Sequence, residues 1–554
     1  MSNLQLLPLG GMGNVTQNMY LYEYEDEILL VDCGIGFPTT YMPGIDILVP
    51  DITPLLKKLE AGKKIVGMIL THGHDDHIAA LPYVLPHLPE FPIFGSPLTI
   101  GFAQERVSEL NREVEFRVVE TGKEVRLSPN FGFTSYNMTH SVPDTRHLLI
   151  TTPVGSIYHG SDFKIDPRPV DGAVSDLESL AKLGEQGVLC VLLDCLRVEK
   201  NEPAEPESTI GAEFEKLMAN TKGKFILTLM SSHIHRIQQA VDVAQKLGRK
   251  VVFVGRSVEQ NVRVARDLGK LKVRQDQIID KKQIDTLPDN QVCLIIAGSQ
   301  GQEGSSLVRA IFGEHPALQI KADDTVVFSA DAIPGNEVPY YQSIDELAGN
   351  DVRVLYPAIE PGLHHSGHAS KQEQRQVVEL LKPKLVMPIG GADRHRYLFA
   401  INIARLLGYS GEQILRPRSG ETVVFTQDGA SIGSKFELRP TTVDGLGIGD
   451  VGPVVLSDRL KLGDAGIVAV IVPRVKGELK LDQIQLISRG FVFMQKADEV
   501  IEFIKQTVRD AISQNKNLSD KELGQTIEKR LVRKLYKIIK REPLVIANIV
   551  SFKA

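Results

Sequence analysis

The sequence predicts an α/β protein of several domains, in which a β-rich first part precedes a parallel α/β domain and a small α+β domain. Three observations predict this organisation. The chain has 554 residues, about three to four times a typical domain of ~150 residues, so two to four domains are expected. Its apolar share of 42% and charged share of 24% exclude a disordered or collagen-like chain. Near residue 206 the pattern changes from short strands to strands alternating with helices.

The first two hundred residues contain short apolar runs bounded by turn residues, which predict strands. Residues 18–24 and 28–32, separated by the acidic turn 25–27, predict a β-hairpin. Four further runs predict strands at residues 65–70, 131–136, 155–159 and 187–193.

From residue 206 to 345, apolar strands alternate with amphipathic helices, which predicts a parallel sheet. Residues 234–247 carry apolar side chains at helical spacing, and residues 371–408 again read as helix, strand and helix. The strands of this central part are predicted at residues 224–230, 250–255, 291–297 and 325–330.

Composition restricts the classes of protein. No apolar run approaches the ~18 residues of a membrane span, and the first residues do not resemble a signal peptide, so no membrane association is expected. Four scattered cysteines predict reduced thiols and a cytoplasmic protein. A net charge of −6 argues against polyanion binding over the whole surface, although it allows a local basic groove.

The strongest local signal follows an apolar strand, where residues 72–77 read His-Gly-His-Asp-Asp-His. Three imidazoles and neighbouring carboxylates are unsuited to core filling, because each buried polar group would need a partner. Imidazole and carboxylate are the usual ligands of zinc and similar ions. The pattern therefore predicts a divalent-metal site, and a solvated loop with chance histidines is the alternative.

Three further polar residues, His140, Asp162 and Asp194, each come after another predicted strand. Alone, an Asp at a strand end is more often a turn or capping residue than a ligand. Together they place acidic and imidazole groups repeatedly at strand ends, where α/β scaffolds gather their sites.

These residues carry a family resemblance. The α/β block before residues 364–370, His-His-Ser-Gly-His-Ala-Ser, resembles the β-CASP branch of the metallo-β-lactamase superfamily, which acts on nucleic acids. Further segments at 9–13, 232–236, 298–301, 333–337, 443–447 and 488–492 narrow the resemblance to the bacterial ribonuclease J family along essentially the whole chain. The superfamily resemblance itself rests on the ordered set Asp32, His72, His74, Asp76, His77, His140 and Asp162.

The resemblance implies an αββα metallo-β-lactamase sandwich with an inserted parallel β-CASP domain and a small α+β C-terminal domain. The implied boundaries are 1–205 and 346–445 for the sandwich, 206–345 for the β-CASP domain, 446–464 for a linker and 465–554 for the C-terminal domain.

The implied chemistry is two-metal hydrolysis of RNA phosphodiester bonds, in which the ions acidify a shared water and offset charge in the transition state. Zinc is the implied metal, with manganese or magnesium as alternatives. The first ion would take His72, His74 and His140, the second would take Asp76 and His77, and both would share Asp162.

The resemblance also implies catalytic and substrate-binding residues. Asp194 matches an acidic position that orients a ligand imidazole, and His368 matches one that contacts the scissile phosphate and protonates the leaving oxygen. With Asp76, these are the implied catalytic residues. Residues implied to hold the RNA 5′-phosphate and backbone are Ser232, His233, Ile234, His235, His364, His365, Ser366, Gly367 and His368.

Three departures from the family pattern bear on this assignment. Gly390 stands where the family carries the last histidine ligand of the second ion. Cys195 and Leu196 follow Asp194 where the family has Ser and Thr, and His365 is an additional histidine. The Gly390 departure predicts a weaker second metal site.

Three other signals have competing interpretations. Residues 445–449 resemble part of a dinucleotide loop, but the Pro-containing run 451–456 predicts a strand and no helix after them, so a turn is favoured. Residues 529–541 hold seven basic and no acidic residues, for which a solvated helix face is favoured over an RNA-guiding or subunit-contact face. Asp46 and Asp444 match positions where some family members hold a structural calcium ion.

By resemblance, the expected activity is 5′-to-3′ exonuclease and endonuclease action in RNA maturation and decay, on single-stranded RNA that preferably carries a 5′-monophosphate. A homodimer or homotetramer is expected, with a paralogue as a further partner. One alternative, motivated by Gly390, is a catalytically weak partner of an active paralogue. The other is a small-molecule hydrolase such as a thioesterase or lactonase, which the inserted domain argues against.

Overall fold

The computed structural model describes residues 2–333, 335–491 and 497–552. Pro334 and residue 492, which belong to two of the family-like segments, lie outside the described residues. The chain divides into two compact units, one formed by Met1–Phe37 with Leu48–Thr441 and the other by Pro38–Ile47 with Thr442–Ala554.

One layer of the first unit is a mixed eight-stranded sheet. It contains the predicted hairpin, because Tyr20–Tyr24 pairs antiparallel with Glu27–Val31. In spatial order its strands are Ala430–Lys435, Glu421–Phe425, Leu4–Pro8, Tyr20–Tyr24, Glu27–Val31, Lys64–Ile69, Ile93–Gly95 and Phe116–Val118.

A six-stranded sheet faces it, and side chains such as Leu29 and Phe133 from the two sheets share one buried core. Three of its strands run parallel, so their carboxyl ends meet at one edge. In spatial order the strands are Leu385–Ile389, Cys190–Asp194, Gly155–His159, Arg146–Thr152, Gly132–Asn137 and Glu124–Arg126.

Helices cover the outer faces of both sheets. On the six-stranded sheet, Leu180, Val377 and Phe399 pack against Tyr158 and Val191. On the eight-stranded sheet, a helix buries Leu98 and Phe102 beside the edge strands. The αββα order expected from the sequence is therefore confirmed; the helices are Thr53–Glu60, Asp75–Ile78, Leu81–Val84, Pro97–Val107, Leu177–Gln186, Lys371–Leu381 and Asp393–Phe399, the last continued by a π-turn at Ala400–Ala404.

The inserted domain is a five-stranded sheet in which every pairing is parallel, as the alternation of strands and helices predicted. Its strands, in spatial order, are Lys250–Val254, Val292–Ile296, Phe225–Thr228, Thr325–Phe328 and Arg353–Leu355. Its helices are Ile210–Ala219, Ile234–Lys246, Arg256–Asp267, Ser306–Ile311 and Glu337–Gly349.

The second unit contains a small sheet whose buried face packs on two long helices, Ala497–Gln514 and Asp520–Ile539. Its strands are Glu478–Leu479, Ile467–Val475, Gln485–Arg489 and Leu544–Phe552. None of the described helices is long and apolar enough to cross a membrane.

The sequence interpretation of residues 451–456 as a strand was wrong, because Pro453–Ala465 is an α-helix. Proline occupies its first turn, where a fixed φ and a missing N–H are tolerated. The preceding glycines nevertheless form a turn, since Thr441–Asp444 pairs antiparallel with Gly447–Ile448. The turn prediction is therefore confirmed although the reason given for it was not.

Candidate metal centre

The metal centre lies at the edge of the sandwich where strands from both sheets end. Residue 72 follows Lys64–Ile69, and Asp162 follows Gly155–His159. The backbone N–H of Arg146 donates to the carbonyl of Thr71 at 2.9 Å, which joins the two sheets at this edge.

The first group of candidate ligands consists of three imidazoles and one carboxylate, all buried: His72, His74, His140 and Asp162. Nε2 of His72 and Nε2 of His140 lie 3.2 and 3.1 Å from Nδ1 of His74. Oδ2 of Asp162 lies 3.7 Å from both Nε2 atoms. Four donors at about 2.0–2.1 Å around a tetrahedral ion would be separated by about 3.3 Å, so the donor set fits zinc.

Each imidazole of this group has a second nitrogen held by a neighbouring oxygen. Nδ1 of His140 donates to the carbonyl of Gly367 at 2.7 Å, and Nε2 of His74 lies 3.1 Å from Oγ of Ser141. Nδ1 of His72 lies 3.1 Å from Oγ1 of Thr71. Outer contacts of this kind fix the tautomer and the ring orientation of a metal ligand.

Protonation favours metal binding in the first group. Burial lowers the pKa of His72, His74 and His140, to about 3 for His74, so the imidazoles are neutral and keep a free lone pair. Burial disfavours the charge of Asp162, but nearby His77 and His368 outweigh it and lower the pKa of this carboxyl.

The second group consists of Asp76, His77 and the shared Asp162. Nε2 of His77 lies 3.7 Å from Oδ2 of Asp76 and 3.6 Å from Oδ2 of Asp162. Its Nδ1 donates to Oδ2 of Asp32 at 2.7 Å, which orients the ring. Nδ2 of Asn18 also lies 3.1 Å from Nε2 of His77, so this nitrogen already has a polar neighbour.

Asp194 and His368 lie beside the second group. Nδ1 of His368 donates to Oδ2 of Asp194 at 2.7 Å. Burial disfavours a charged imidazole, but the carboxylates of Asp194 and Asp162 outweigh it and raise the pKa of His368 to about 9. The imidazolium is therefore the main form at neutral pH and can donate a proton.

Gly390 lies at the rim of the centre, directly after the strand Leu385–Ile389. Its N–H donates to the carbonyl of Gly11 at 3.0 Å. A Cβ at residue 390 would lie 3.5 Å from Oδ1 of Asp194 and 3.7 Å from Oδ1 of Asp162. A side chain at this position would therefore enter the centre, but glycine leaves the space without a donor.

Three residues considered as substitutes for the missing histidine lie elsewhere. Nε2 of His365 is 2.8 Å from Oγ1 of Thr209, and Nδ1 of His395 is 3.3 Å from the backbone nitrogen of Ala392. The side chain of Asp393 is 62% exposed. Among the described residues, none of the three belongs to a group of potential metal ligands.

The two segments expected to hold RNA are brought together by one arginine. Arg236 is buried, and its guanidinium donates twice to Glu207 at 2.8 Å, to the carbonyl of Ser329 at 2.7 Å, and to Nδ1 of His364 at 2.8 Å. Its position next to Ser232–His235 in the sequence was the only signal for this contact, and its role was missed.

The histidines of these segments differ in their contacts. Nε2 of His235 lies 3.2 Å from Oδ2 of Asp171. His233 begins the helix Ile234–Lys246, and neither of its ring nitrogens has a hydrogen-bond partner among the described residues. Ser366 accepts the backbone N–H of His368 at 3.2 Å, within the loop that presents this histidine.

The expected calcium ligands Asp46 and Asp444 have protein partners. Asp46 accepts the N–H of Gly445 at 2.8 Å, and Asp444 pairs with Arg459. Neither aspartate belongs to a group of three or more potential ligands among the described residues. Calcium binding at these residues stays a prediction.

Family models match three parts of the chain. Residues 12–162 match the metallo-beta-lactamase superfamily, residues 222–347 match "Ribonuclease J, beta-CASP domain", and residues 454–552 match "Ribonuclease J C-terminal domain".

Curated relatives match most of the chain. "Ribonuclease J" of Thermus thermophilus is 36% identical over 88% of this chain and 85% of that protein. "Ribonuclease J 1" of Streptococcus pyogenes is 33% identical over 100% and 99%, and "Ribonuclease J2" of Bacillus subtilis is 31% identical over 99% of each. A solved structure, a protein of unknown function from Enterococcus faecalis, superposes with a TM-score of 0.54 at 13% identity, covering 77% of this chain and 100% of that one, which supports the fold alone.

Proposed function

The chain belongs to the ribonuclease J family of metal-dependent ribonucleases, and we propose that it hydrolyses RNA with two divalent ions held by the two ligand groups. The observation that carries the proposal is the spacing of the donors of His72, His74 and His140 around the shared Asp162. When bound, the ions would supply Lewis acidity to the scissile phosphate and to the attacking water.

Asp162 connects the two groups. Its Oδ2 lies 3.6–3.7 Å from imidazole nitrogens of both groups, which suits a carboxylate shared between two cations. Asp32 holds His77 in the orientation that directs its Nε2 toward Asp162. These contacts keep the donors in place before an ion or a substrate arrives.

His368 serves the phosphate and the leaving oxygen. Its bond to Asp194 fixes the ring, and its raised pKa supplies a proton at neutral pH. A positioned acid of this kind protonates the oxygen of the departing nucleotide as the phosphodiester bond breaks. The ring also packs edge-on to His140, with centroids 5.2 Å apart, which places it next to the first group.

The segments at Ser232–His235 and His364–His368 would hold the 5′-phosphate and backbone of single-stranded RNA. Arg236 supports this role because it ties both segments together from the protein interior. We propose 5′-to-3′ exonuclease and endonuclease action in RNA maturation and decay, with a preference for a 5′-monophosphate. Zinc is the proposed first metal, and a homodimer or homotetramer is the proposed assembly.

A comparison of substrates tests the proposal. The purified protein, supplied with Zn²⁺ or Mn²⁺, would be given the same RNA with a 5′-monophosphate, a 5′-triphosphate or a 5′-hydroxyl, and a generic ester. We expect cleavage of RNA, fastest from the 5′-monophosphate, and no comparable ester hydrolysis. An ester turned over faster than every RNA would favour a small-molecule hydrolase instead. Absence of RNA cleavage by the protein alone would favour the catalytically weak partner.

A further inference from the structure

The two ligand groups differ in the chemistry of their donors. The first group offers three imidazole nitrogens and one carboxylate, a complete set for zinc. The second group offers only one imidazole and two carboxylates. Three protein donors leave its ion one short of the four that a zinc site usually has.

The fourth donor is present on the open side, in Asp194. Its Oδ1 lies 3.5 Å from the point that a Cβ of residue 390 would occupy, and Oδ1 of Asp162 lies 3.7 Å from the same point. Ligand atoms of Asp162, Asp194 and His368 also lie within 4.8 Å of one another. Both carboxylates therefore border the space that glycine leaves open.

Asp194 has the bonding capacity to act as a ligand. Its Oδ2 accepts from His368 at 2.7 Å and its Oδ1 accepts the N–H of Leu196 at 2.8 Å. A carboxylate offers about four lone-pair sites, so both oxygens can accept further. The side chain is fully buried beside a second buried carboxylate, an arrangement that a cation between them would stabilise.

We propose that Asp194 is a direct ligand of the second ion in this chain and that the completed second site prefers Mn²⁺ to Zn²⁺. The completed set would contain three carboxylates and one imidazole. Oxygen-rich sets favour Mn²⁺ and Mg²⁺, whereas the imidazoles of the first group suit Zn²⁺. The protein would then hold one zinc and one manganese ion. This inference rests on the proposed two-metal function.

Metal titration of the full-length protein tests the inference. Metal-free protein would receive one equivalent of Zn²⁺ and then Mn²⁺, and binding would be followed by the loss of the free Mn²⁺ signal in electron paramagnetic resonance. In Asp194→Asn we expect Mn²⁺ affinity to fall at least ~10-fold while one zinc per chain is retained. Asp75→Asn, at an exposed residue adjacent to Asp76, is the matched control and should bind both metals normally.

His368→Ala separates a ligand role of Asp194 from the positioning of His368. If Asp194 binds the ion, His368→Ala keeps its Mn²⁺ affinity. An equal loss in His368→Ala and Asp194→Asn, or unchanged affinity in Asp194→Asn, would overturn the inference.

The unmodified protein provides a test that does not depend on a variant folding. Loaded from an equal mixture of Zn²⁺ and Mn²⁺, it should hold one of each, and two zinc ions per chain would overturn the inference. RNA cleavage is measured in parallel. Cleavage without the expected metal content would refute the ligand assignment alone, whereas the expected metal content without cleavage would refute the proposed function.

Discussion

The two ligand groups share Asp162 and lie side by side, yet they are built differently. The first group draws its imidazoles from separate loops, and each ring is oriented by an oxygen behind it. The second group takes Asp76 and His77 from the single short helix Asp75–Ile78 and faces the open space at Gly390. The first site is thus complete in its own residues, whereas the second depends on what surrounds it.

The largest effect is expected from His74→Ala. His74 contacts both other imidazoles of the first group at 3.1–3.2 Å, so its loss removes a donor from the complete set. We expect loss of the tightly bound zinc and of RNA cleavage, measured by metal analysis and with 5′-labelled RNA. The circular dichroism spectrum should remain that of the unmodified protein. Cleavage at the unmodified rate, by protein purified free of wild type, would show that the first group is misassigned.

His368→Ala should reduce the rate without removing metal. A group that acts as a general acid typically contributes ~10²–10⁴-fold, and the turnover number should fall by a factor in this range. Metal content is measured on the same sample. If metal is lost together with the rate, His368 is a ligand and the second group is larger than proposed.

Much of this comparison was predictable from sequence. The order of histidines and aspartates after predicted strands located the first group, because parallel strands bring their carboxyl ends to one edge of a sheet. The parallel inserted domain followed from the alternation of strands and helices. These features depend on local patterns, which one sequence displays directly.

Other features depend on contacts between distant segments, which a local pattern does not contain. The link from Arg236 to Glu207 and His364 joins residues up to 128 positions apart. The hydrogen bond from Gly390 to Gly11, which positions residue 390 at the rim, is equally remote in sequence. Pro453 was misread for a different reason, because proline is compatible both with a strand end and with the first turn of a helix.

Asp32→Asn should distinguish the groups by their dependence on outer contacts. Asp32 orients His77 directly but reaches the first group only through Thr71. Loss of such a contact commonly costs ~10–100-fold in metal affinity, and we expect this loss at the second site with a smaller change at the first. Sequential titration with Zn²⁺ and Mn²⁺ measures both. Equal losses at the two sites would show that they behave as one unit.

The smallest change is expected from Gly390→His, which supplies an imidazole where the second group is open. A Cβ fits at this position, with its nearest contacts at 3.5 and 3.7 Å. The backbone φ of +63° costs about 1–3 kcal/mol for a side chain other than glycine, although histidine is among the residues enriched there.

This strain opposes the gain from a new ligand, which by itself should exceed the ~10–100-fold typical of an outer contact. We therefore expect Gly390→His to bind the second ion more tightly, to shift its preference toward Zn²⁺, and to leave the first ion unchanged. Gly390→Ala is the matched control, because it carries the same strain but adds no donor. If Gly390→His and Gly390→Ala bind the second ion equally, and the unmodified protein already holds two tight ions, another residue has replaced the missing histidine. Asp194 is then the first residue to examine, because its carboxylate is the nearest contact of the space at residue 390.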